Sequence, residues 1–212
     1  MDFNDTAEEN NFRLEVREWL EKNAPKDKKI GGYDSIDVEE SALERAREWQ
    51  AKKADAGYAA ITWPKEYGGL GASSIHSVIY SQEEAKYNVP SGIYDIGLGM
   101  CIPTMMAWAT KEQNERYVEP ALYGKEIWCQ LFSEPSAGSD VAGVRTKAEK
   151  DGDDWLINGQ KVWTSGAHFC DFGIIVVRTD PKAPKHKGLS FFFLDMKSPG
   201  IDIKPIRQIS GG

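Results

Sequence analysis

The sequence predicts an α+β chain: an all-α N-terminal domain over residues 1–124, then an antiparallel β-domain of barrel or sandwich kind over 125–212. Three observations carry this expectation. In the first half, apolar residues recur at three and four with capping signals at the boundaries, the pattern of amphipathic helices. From about residue 127 onward the period changes, and β-branched and aromatic runs are separated by turn pairs such as Asp151-Gly152 and Asn158-Gly159. Finally, 212 residues amount to roughly 1.4 domains at ~150 residues each, so one large or two small cores are possible.

Four helical segments are expected. Thr6 to Glu9 forms a capping box, followed by Phe12, Val16, Trp19 and Leu20 on one face, and Pro25 closes the segment. A second helix spans about 37–56, with Ala42, Ala46 and Trp49 on one stripe beside Leu43, and stops at Gly57. A third follows the G-G-L-G-A-S-S stretch, with Ile75, Val78 and Ile79 on its buried side, and ends before Pro90. The fourth begins near Pro103, and a second capping box, Thr110 to Gln113, predicts a break and a helix restarted as far as Pro120. Strands are expected at 128–132, 145–150, 155–157, 161–165, 172–179, 189–195 and 201–205, with the basic, proline-broken stretch 181–187 as a solvated hairpin tip.

Composition excludes several classes. With 41% hydrophobic, 11% aromatic and 28% charged residues, the chain folds and is not disordered. Apolar runs such as 174–177 and 191–194 are far below the ~20 residues of a membrane span, and the acidic start M-D-F-N-D-T lacks the features of a secretory signal, which predicts a cytoplasmic protein. A net charge of −7 disfavours nucleic acid as a partner. Cys101, Cys129 and Cys170 show no C-x-x-C spacing, so no metal site is expected and they are read as reduced core thiols. His76, His168 and His186 are lone histidines with no paired nucleophile.

Two clusters could carry chemistry. The loop from Ser133 to Asp140, S-E-P-S-A-G-S-D, follows a predicted strand; its small residues, hydroxyls and successive N–H groups could cradle phosphate oxygens, or form an ordinary strand-ending turn. It is neither a P-loop nor a dinucleotide fingerprint, since G-x-x-x-x-G-K-[ST] and a strand-borne G-x-G-x-x-G are both missing. In the second cluster, Asn158 to Gly166, a hairpin would deliver Trp163 beside Thr164 and Ser165, an aromatic face next to hydroxyl donors that suits a flat heteroaromatic cofactor; a tryptophan in a strand can equally be core.

Taken together, W-C-Q-L-F-S-E-P-S-A-G-S-D and N-G-Q-K-V-W-T-S-G-A resemble the flavin-binding signatures of the acyl-CoA dehydrogenases in order and spacing. The stretch from Ala59 to Gly71, with W-P-K-E-Y-G-G, resembles the helical domain of that family, and K-G-L-S-F-F-F-L-D with P-G-I resembles its later strands, so the resemblance runs essentially from Met1 to Gly212. It implies FAD as cofactor and dehydrogenation of an acyl-CoA to its 2,3-enoyl-CoA, with a carboxylate taking the α-proton and the β-hydrogen leaving as hydride to the flavin. It further implies electron-transfer flavoprotein or a similar acceptor, a homo- or hetero-tetramer, and a place in lipid degradation.

Residue by residue, the resemblance assigns Gln130, Leu131, Phe132 and Ser133 to the isoalloxazine edge through backbone N–H groups and the Ser133 hydroxyl. Ser139 matches a position near the FAD pyrophosphate and the acyl-CoA site. Trp163 would pack on the flavin, with Thr164 beside it and Ser165 donating to the ring edge. Serine at 133 and 165 and threonine at 164 depart from the commoner residues of the family, which bears on substrate preference. Glu134 and Asp140 match loop-forming and anchoring positions, so neither is expected to be the base; the catalytic glutamate belongs to a second helical domain that the family carries after its β-domain, beyond Gly212. The 212 residues alone are therefore expected to bind FAD weakly or not at all and to turn nothing over. Two rival functions share these residues. One is an acyl-CoA oxidase or flavin monooxygenase of the same architecture. The other is a non-catalytic partner subunit in a hetero-oligomer, since K-V-W-T-S-G-A-H resembles bacterial members acting on branched or steroid side chains, some of which pair unlike subunits.

Overall fold

Capping chemistry and apolar stripes place five helices where the helical period is strongest. The computed structural model describes residues 4–25 and 40–209. Helix α1 (Ala7–Asn23) starts at the expected capping box: the Glu9 amide donates to Thr6 Oγ1 at 3.2 Å and the Thr6 amide to Glu9 Oε2 at 2.6 Å. Helix α2 (Glu40–Asp55) buries Ala42, Ala46 and Trp49 as expected; the start expected at residue 37 lies outside the described residues. Helix α3 (Ser74–Glu84) is followed by a π-helical turn, Gly97–Cys101, that leads into α4 (Ile102–Trp108). The second capping box starts α5 (Lys111–Leu122), which runs two residues beyond Pro120 because the proline falls in its last turn.

The buried side of α3 differs from expectation. Ile75 and Val78 are 43% and 47% exposed, while Ile79, Tyr80 and Glu83 face α1 and α2. A carboxylate takes the buried lane because cations meet it there. Arg13 and Arg17 of α1 donate to Glu83 at 3.1 Å, Lys86 donates from the following turn, and Glu83 is 1% exposed. Beside it Glu84 accepts from Trp49 Nε1 and Tyr80 Oη, both at 3.0 Å, so the three helices are joined by two adjacent carboxylates over a core of Val16, Leu20, Trp49 and Ile61.

The β-half is one mixed sheet of β1 (Trp128–Leu131), β2 (Lys147–Asp151), β3 (Asp154–Asn158), β4 (Phe172–Arg178) and β5 (Leu189–Asp195). A helical half followed by a sheet half agrees with the predicted class, but the sheet is not wholly antiparallel: β2–β3 and β4–β5 are antiparallel hairpins, whereas β1 and β2 each run parallel to β4. Turn pairs reveal hairpins, and the parallel contacts, which join residues far apart in the chain, leave no such local mark. The Asp151-Gly152 turn closes the first hairpin, and residues 181–187 form the tip of the second. The expected strands at 161–165 and 201–205 are not present; both segments run without ladder partners.

The registers fix where the sheet opens. Strand β5 pairs with all of β4 on one edge, so β1, paired at 172–175, and β2, paired at Arg178, share the other edge end to end. The chain leaves the sheet at Leu131 and rejoins it at Lys147, and the S-E-P-S-A-G-S-D loop is the excursion between. One sheet face, through Trp128 and Ile174, packs on Ile102, Met105 and Val118; the other, through Cys129, Leu131, Ile175 and Val177, packs on Ala46, Ile93 and Met196. The three free cysteines are buried.

Replacing Glu83 tests the buried junction. Its Arg17 partner, together with Lys86 and Arg13, holds the carboxyl at about 2, below the ordinary 4.5. A depressed carboxylate contributes stability that is present above 4.5 and lost as pH falls toward 2. Glu83→Gln is expected to cost on the order of 3 kcal/mol at pH 7, and to flatten the acid destabilisation between pH 4.5 and 2; urea denaturation across that pH range checks both.

Candidate functional site

The loop that leaves β1 is organised by one carboxylate. Glu134 is buried, and its two oxygens accept from the Arg145 amide at 2.7 Å, the Thr146 amide at 2.9 Å and Lys161 Nζ at 2.8 Å. Its backbone pairs with Ala137 in a tight bridge, Glu134 N to Ala137 O at 2.7 Å and Ala137 N to Glu134 O at 3.1 Å. Burial pushes the Glu134 carboxyl up, but Lys161 and the Thr146 and Arg145 donors outweigh it and hold it at about 2. Burial pushes the Lys161 ammonium down, against the pull of Glu134.

Lys161 brings the second cluster to the first. Its ammonium also donates to the Phe132 carbonyl at 3.0 Å, and the next amide, Val162 N, donates to the Ser133 carbonyl at 2.9 Å. Residues 161–162 are thus fastened to 132–134 by three hydrogen bonds, and Trp163 emerges beside Ser133. No hairpin delivers it, contrary to expectation. Asn158-Gly159 is not a hairpin turn, and Gly159 is needed for a different reason: a Cβ there would stand 2.3 Å from Thr146 Oγ1 and 2.6 Å from Thr146 Cα. The chain must pass that close to reach Lys161's position under Glu134.

Trp163 then adopts φ 58°, the left-handed region, which a bulky residue occupies only at a cost of about 1–3 kcal/mol. Its side chain is 68% exposed, so the strain is not repaid by burial. Thr164 is half-buried with Oγ1 lacking any hydrogen-bond partner, and Ser165 is exposed. On β1, Leu131 is buried in the core behind the sheet with its backbone in the ladder to β4, whereas Gln130 and, just beyond the strand, Phe132 and Ser133 are half-buried, Phe132 edge-on to Phe191 at 5.5 Å. Ser139 is exposed in the loop beyond the Glu134–Ala137 bridge, and no hydrogen bond among the described residues joins it to Trp163, Thr164 or Ser165. Hydrogen bonds thus join residues 132–134 to 161–162, the residues that lead into Trp163, Thr164 and Ser165, and no such bond among the described residues joins Ser139 to them. Lys161 and Thr146 are not singled out by the sequence and Gly159 reads there as half of a turn pair, although a loop carboxylate in an anchoring role calls for a cation nearby.

Among the described residues no group of three or more His, Cys, Asp or Glu is placed to hold a metal ion, and no helix is long and apolar enough to cross a membrane.

Known proteins resemble nearly the whole chain. The family models described as acyl-CoA dehydrogenase, N-terminal domain, and acyl-CoA dehydrogenase, middle domain, match residues 6–125 and 129–211. The acyl-CoA dehydrogenase IpdE1 of Mycobacterium tuberculosis is 40% identical over 201 residues, covering 94% of this chain and 52% of that protein. The acyl-CoA dehydrogenase FadE34 of the same organism is 48% identical over 162 residues, 76% of this chain and 22% of its own length. Among solved structures, "Tcur3481-Tcur3483 steroid ACAD" superposes with a TM-score of 0.83 at 32% identity, covering all of this chain and 53% of that one. The ChsE4-ChsE5 complex from M. tuberculosis gives 0.79 at 30% identity, covering 100% of this chain and 52% of that one. The chain spans about half the length of IpdE1 and of these structures.

The two tryptophans nearest the loop are expected to behave oppositely. Trp128 is 2% exposed among Tyr117, Phe172 and Phe193, and Trp128→Ala should cost about 3–5 kcal/mol. Trp163→Gly releases a strained, exposed residue and should leave apoprotein stability within about 1 kcal/mol. Urea denaturation of both variants without cofactor distinguishes them.

Proposed function

Because this chain belongs to the acyl-CoA dehydrogenase family, we propose that it forms part of an FAD-dependent enzyme that oxidises the Cα–Cβ bond of an acyl-CoA thioester to the 2,3-enoyl-CoA. The observation that carries this reading is the fastening of 161–162 onto 132–134, which brings the stretch that continues into the exposed Trp163 up to the Ser133 backbone.

The residues fit a flat ring with a polar rim. Trp163 holds an open aromatic face, Thr164 Oγ1 is a buried hydroxyl without a partner, and the Ser133 N–H donates to no acceptor among the described residues. When bound, FAD would supply the two-electron acceptor for the hydrogen that leaves Cβ. Gln130, Leu131, Phe132 and Ser133 would line the ring edge, with the Ser133 N–H and hydroxyl as donors while the Leu131 N–H stays in the ladder with β4; Trp163 would pack on the ring, with Thr164 and Ser165 at its rim. Ser139, on its exposed limb, serves the pyrophosphate and the acyl-CoA. Glu134 is unfit as the base: its oxygens are already engaged by two amides and an ammonium, and it is held near 2. We place the base in the half of the family's length that lies outside this chain.

The substrate class we propose is a bulky, steroid-derived acyl-CoA, acted on in a hetero-oligomer with a second acyl-CoA dehydrogenase-like subunit. The similarity to a steroid ACAD over the whole chain and to the ChsE4-ChsE5 complex supports this reading.

The test uses the full-length protein, alone and co-expressed with a second acyl-CoA dehydrogenase-like subunit from the same source. Bound flavin is read by absorbance, and dye reduction is assayed with linear, branched and steroid acyl-CoAs. Reduction by steroid thioesters is expected; hydrogen peroxide release in place of dye reduction would identify an oxidase, and a flavin-loaded complex inert to every thioester would refute the dehydrogenase reading. Trp163→Ala is expected to weaken FAD binding by tenfold or more, about 1.4 kcal/mol, with an unchanged circular dichroism spectrum.

A further inference from the structure

The bonds around residues 132–134 place a charge behind the proposed cofactor edge. Lys161 Nζ donates to the Phe132 carbonyl at 3.0 Å, and that carbonyl belongs to the same peptide unit as the Ser133 N–H. The chain has no cis peptide bond among the described residues, so in this planar unit the C=O and N–H point in opposite directions. An ammonium on the oxygen therefore draws electron density out of the unit and leaves the N–H on the far side a stronger donor. That N–H has no intramolecular acceptor among the described residues. The neighbouring unit is biased in the same sense, since the Ser133 carbonyl accepts from Val162 N at 2.9 Å.

The arrangement is buried and oriented. The Lys161 side chain is 6% exposed, and its second contact is Glu134 Oε1 at 2.8 Å. Glu134 is itself fixed by the Arg145 and Thr146 amides, so it holds the ammonium at a set position without being free to follow it. A dipole built in this way, with its positive end under the Phe132 oxygen, costs no reorganisation when charge changes beyond the Ser133 N–H.

We propose that Lys161 is a positioning residue that tunes the bound flavin: by polarising the Phe132–Ser133 peptide it strengthens the Ser133 N–H as a donor to the ring edge and favours the reduced, electron-rich cofactor. The proposal rests on the reading that FAD occupies this site. Glu134 is the anchor that keeps Lys161 in place, and Val162 aligns the next peptide with the first.

The experiment measures flavin midpoint potentials in the full-length protein for the parent, Lys161→Gln, Lys161→Arg and the double variant Glu134→Gln/Lys161→Gln. In Lys161→Gln, reduced FAD is expected to lose about tenfold in affinity relative to oxidised FAD, a fall of about 30 mV for a two-electron couple. Because that variant leaves Glu134 buried without its cation, the double variant removes both charges; its potential is expected to stay below the parent's, and Lys161→Arg to retain the parent's potential. A double variant that binds FAD at the parent's potential would overturn the proposal, since the single variant's effect would then be the unpaired carboxylate alone. A Lys161→Arg variant at the double variant's potential would overturn it too. Absence of FAD from the reconstituted parent protein would instead overturn the cofactor reading on which the proposal stands.

Discussion

The buried pair between Glu134 and Lys161 is the constraint on which the site depends. Two charges with side chains 5% and 6% exposed are tolerable only together, and holding them together requires three separate stretches of chain. The loop supplies the carboxylate, the two residues before β2 supply amides to its oxygens, and the segment after β3 supplies the cation. Beyond this pair the loop is tied by Arg178, which donates to the Ala142 and Val144 carbonyls, whereas residues 159–165 lie outside every strand. A local electrostatic requirement thus does here what sheet pairing does elsewhere, and it sets the exposed aromatic and hydroxyl residues on its outer side.

The helical half uses the same device on a different scaffold. Glu83 and Glu84 sit at one end of α3, where hydrophobic stripes alone would leave the crossing of three amphipathic helices poorly specified, and each carboxylate draws donors from a different helix. Apolar burial supplies the main driving force in both halves, and the ion pairs select one arrangement among those that burial permits. The two halves meet where the π-helical turn at Gly97–Cys101 lies against Trp128, so the strand that begins the site is seated on the helical domain through its first side chain.

Much of this was legible in the chain. Both capping boxes, the stripe of α2 and the hairpin at Asp151-Gly152 are local patterns, and local patterns survive folding. The errors share a cause, which is that non-local partners decide them. Ile75 and Val78 were expected to be buried because apolar spacing says so, but Arg13 and Arg17 draw Glu83 inward instead. Residues 161–165 look like a strand by composition, yet Lys161 and Val162 spend their bonds on residues 132–134 beyond the end of β1, and the close passage of Gly159 over Thr146 sets that path. The site residues were recognisable through their family signature; the reason they sit together was not, because a lysine and a glutamate 27 positions apart give no periodic signal.

The shared edge of β4 bears on how this chain can change its length. Strands β1 and β2 occupy one edge in succession, so the loop between them is closed at both ends by fixed registers, and Glu134 ties its beginning to its end. An insertion or deletion there must shift one register or break the tie. The 181–187 tip, by contrast, lies beyond the last β4–β5 pair; Arg178 ties it at the Lys185 carbonyl, and residues 181–184 ahead of that tie can lengthen or shorten without moving a register. Variation in loop size among related chains should therefore collect at that tip, while the excursion after Leu131 keeps a constant count of residues whatever its sequence becomes.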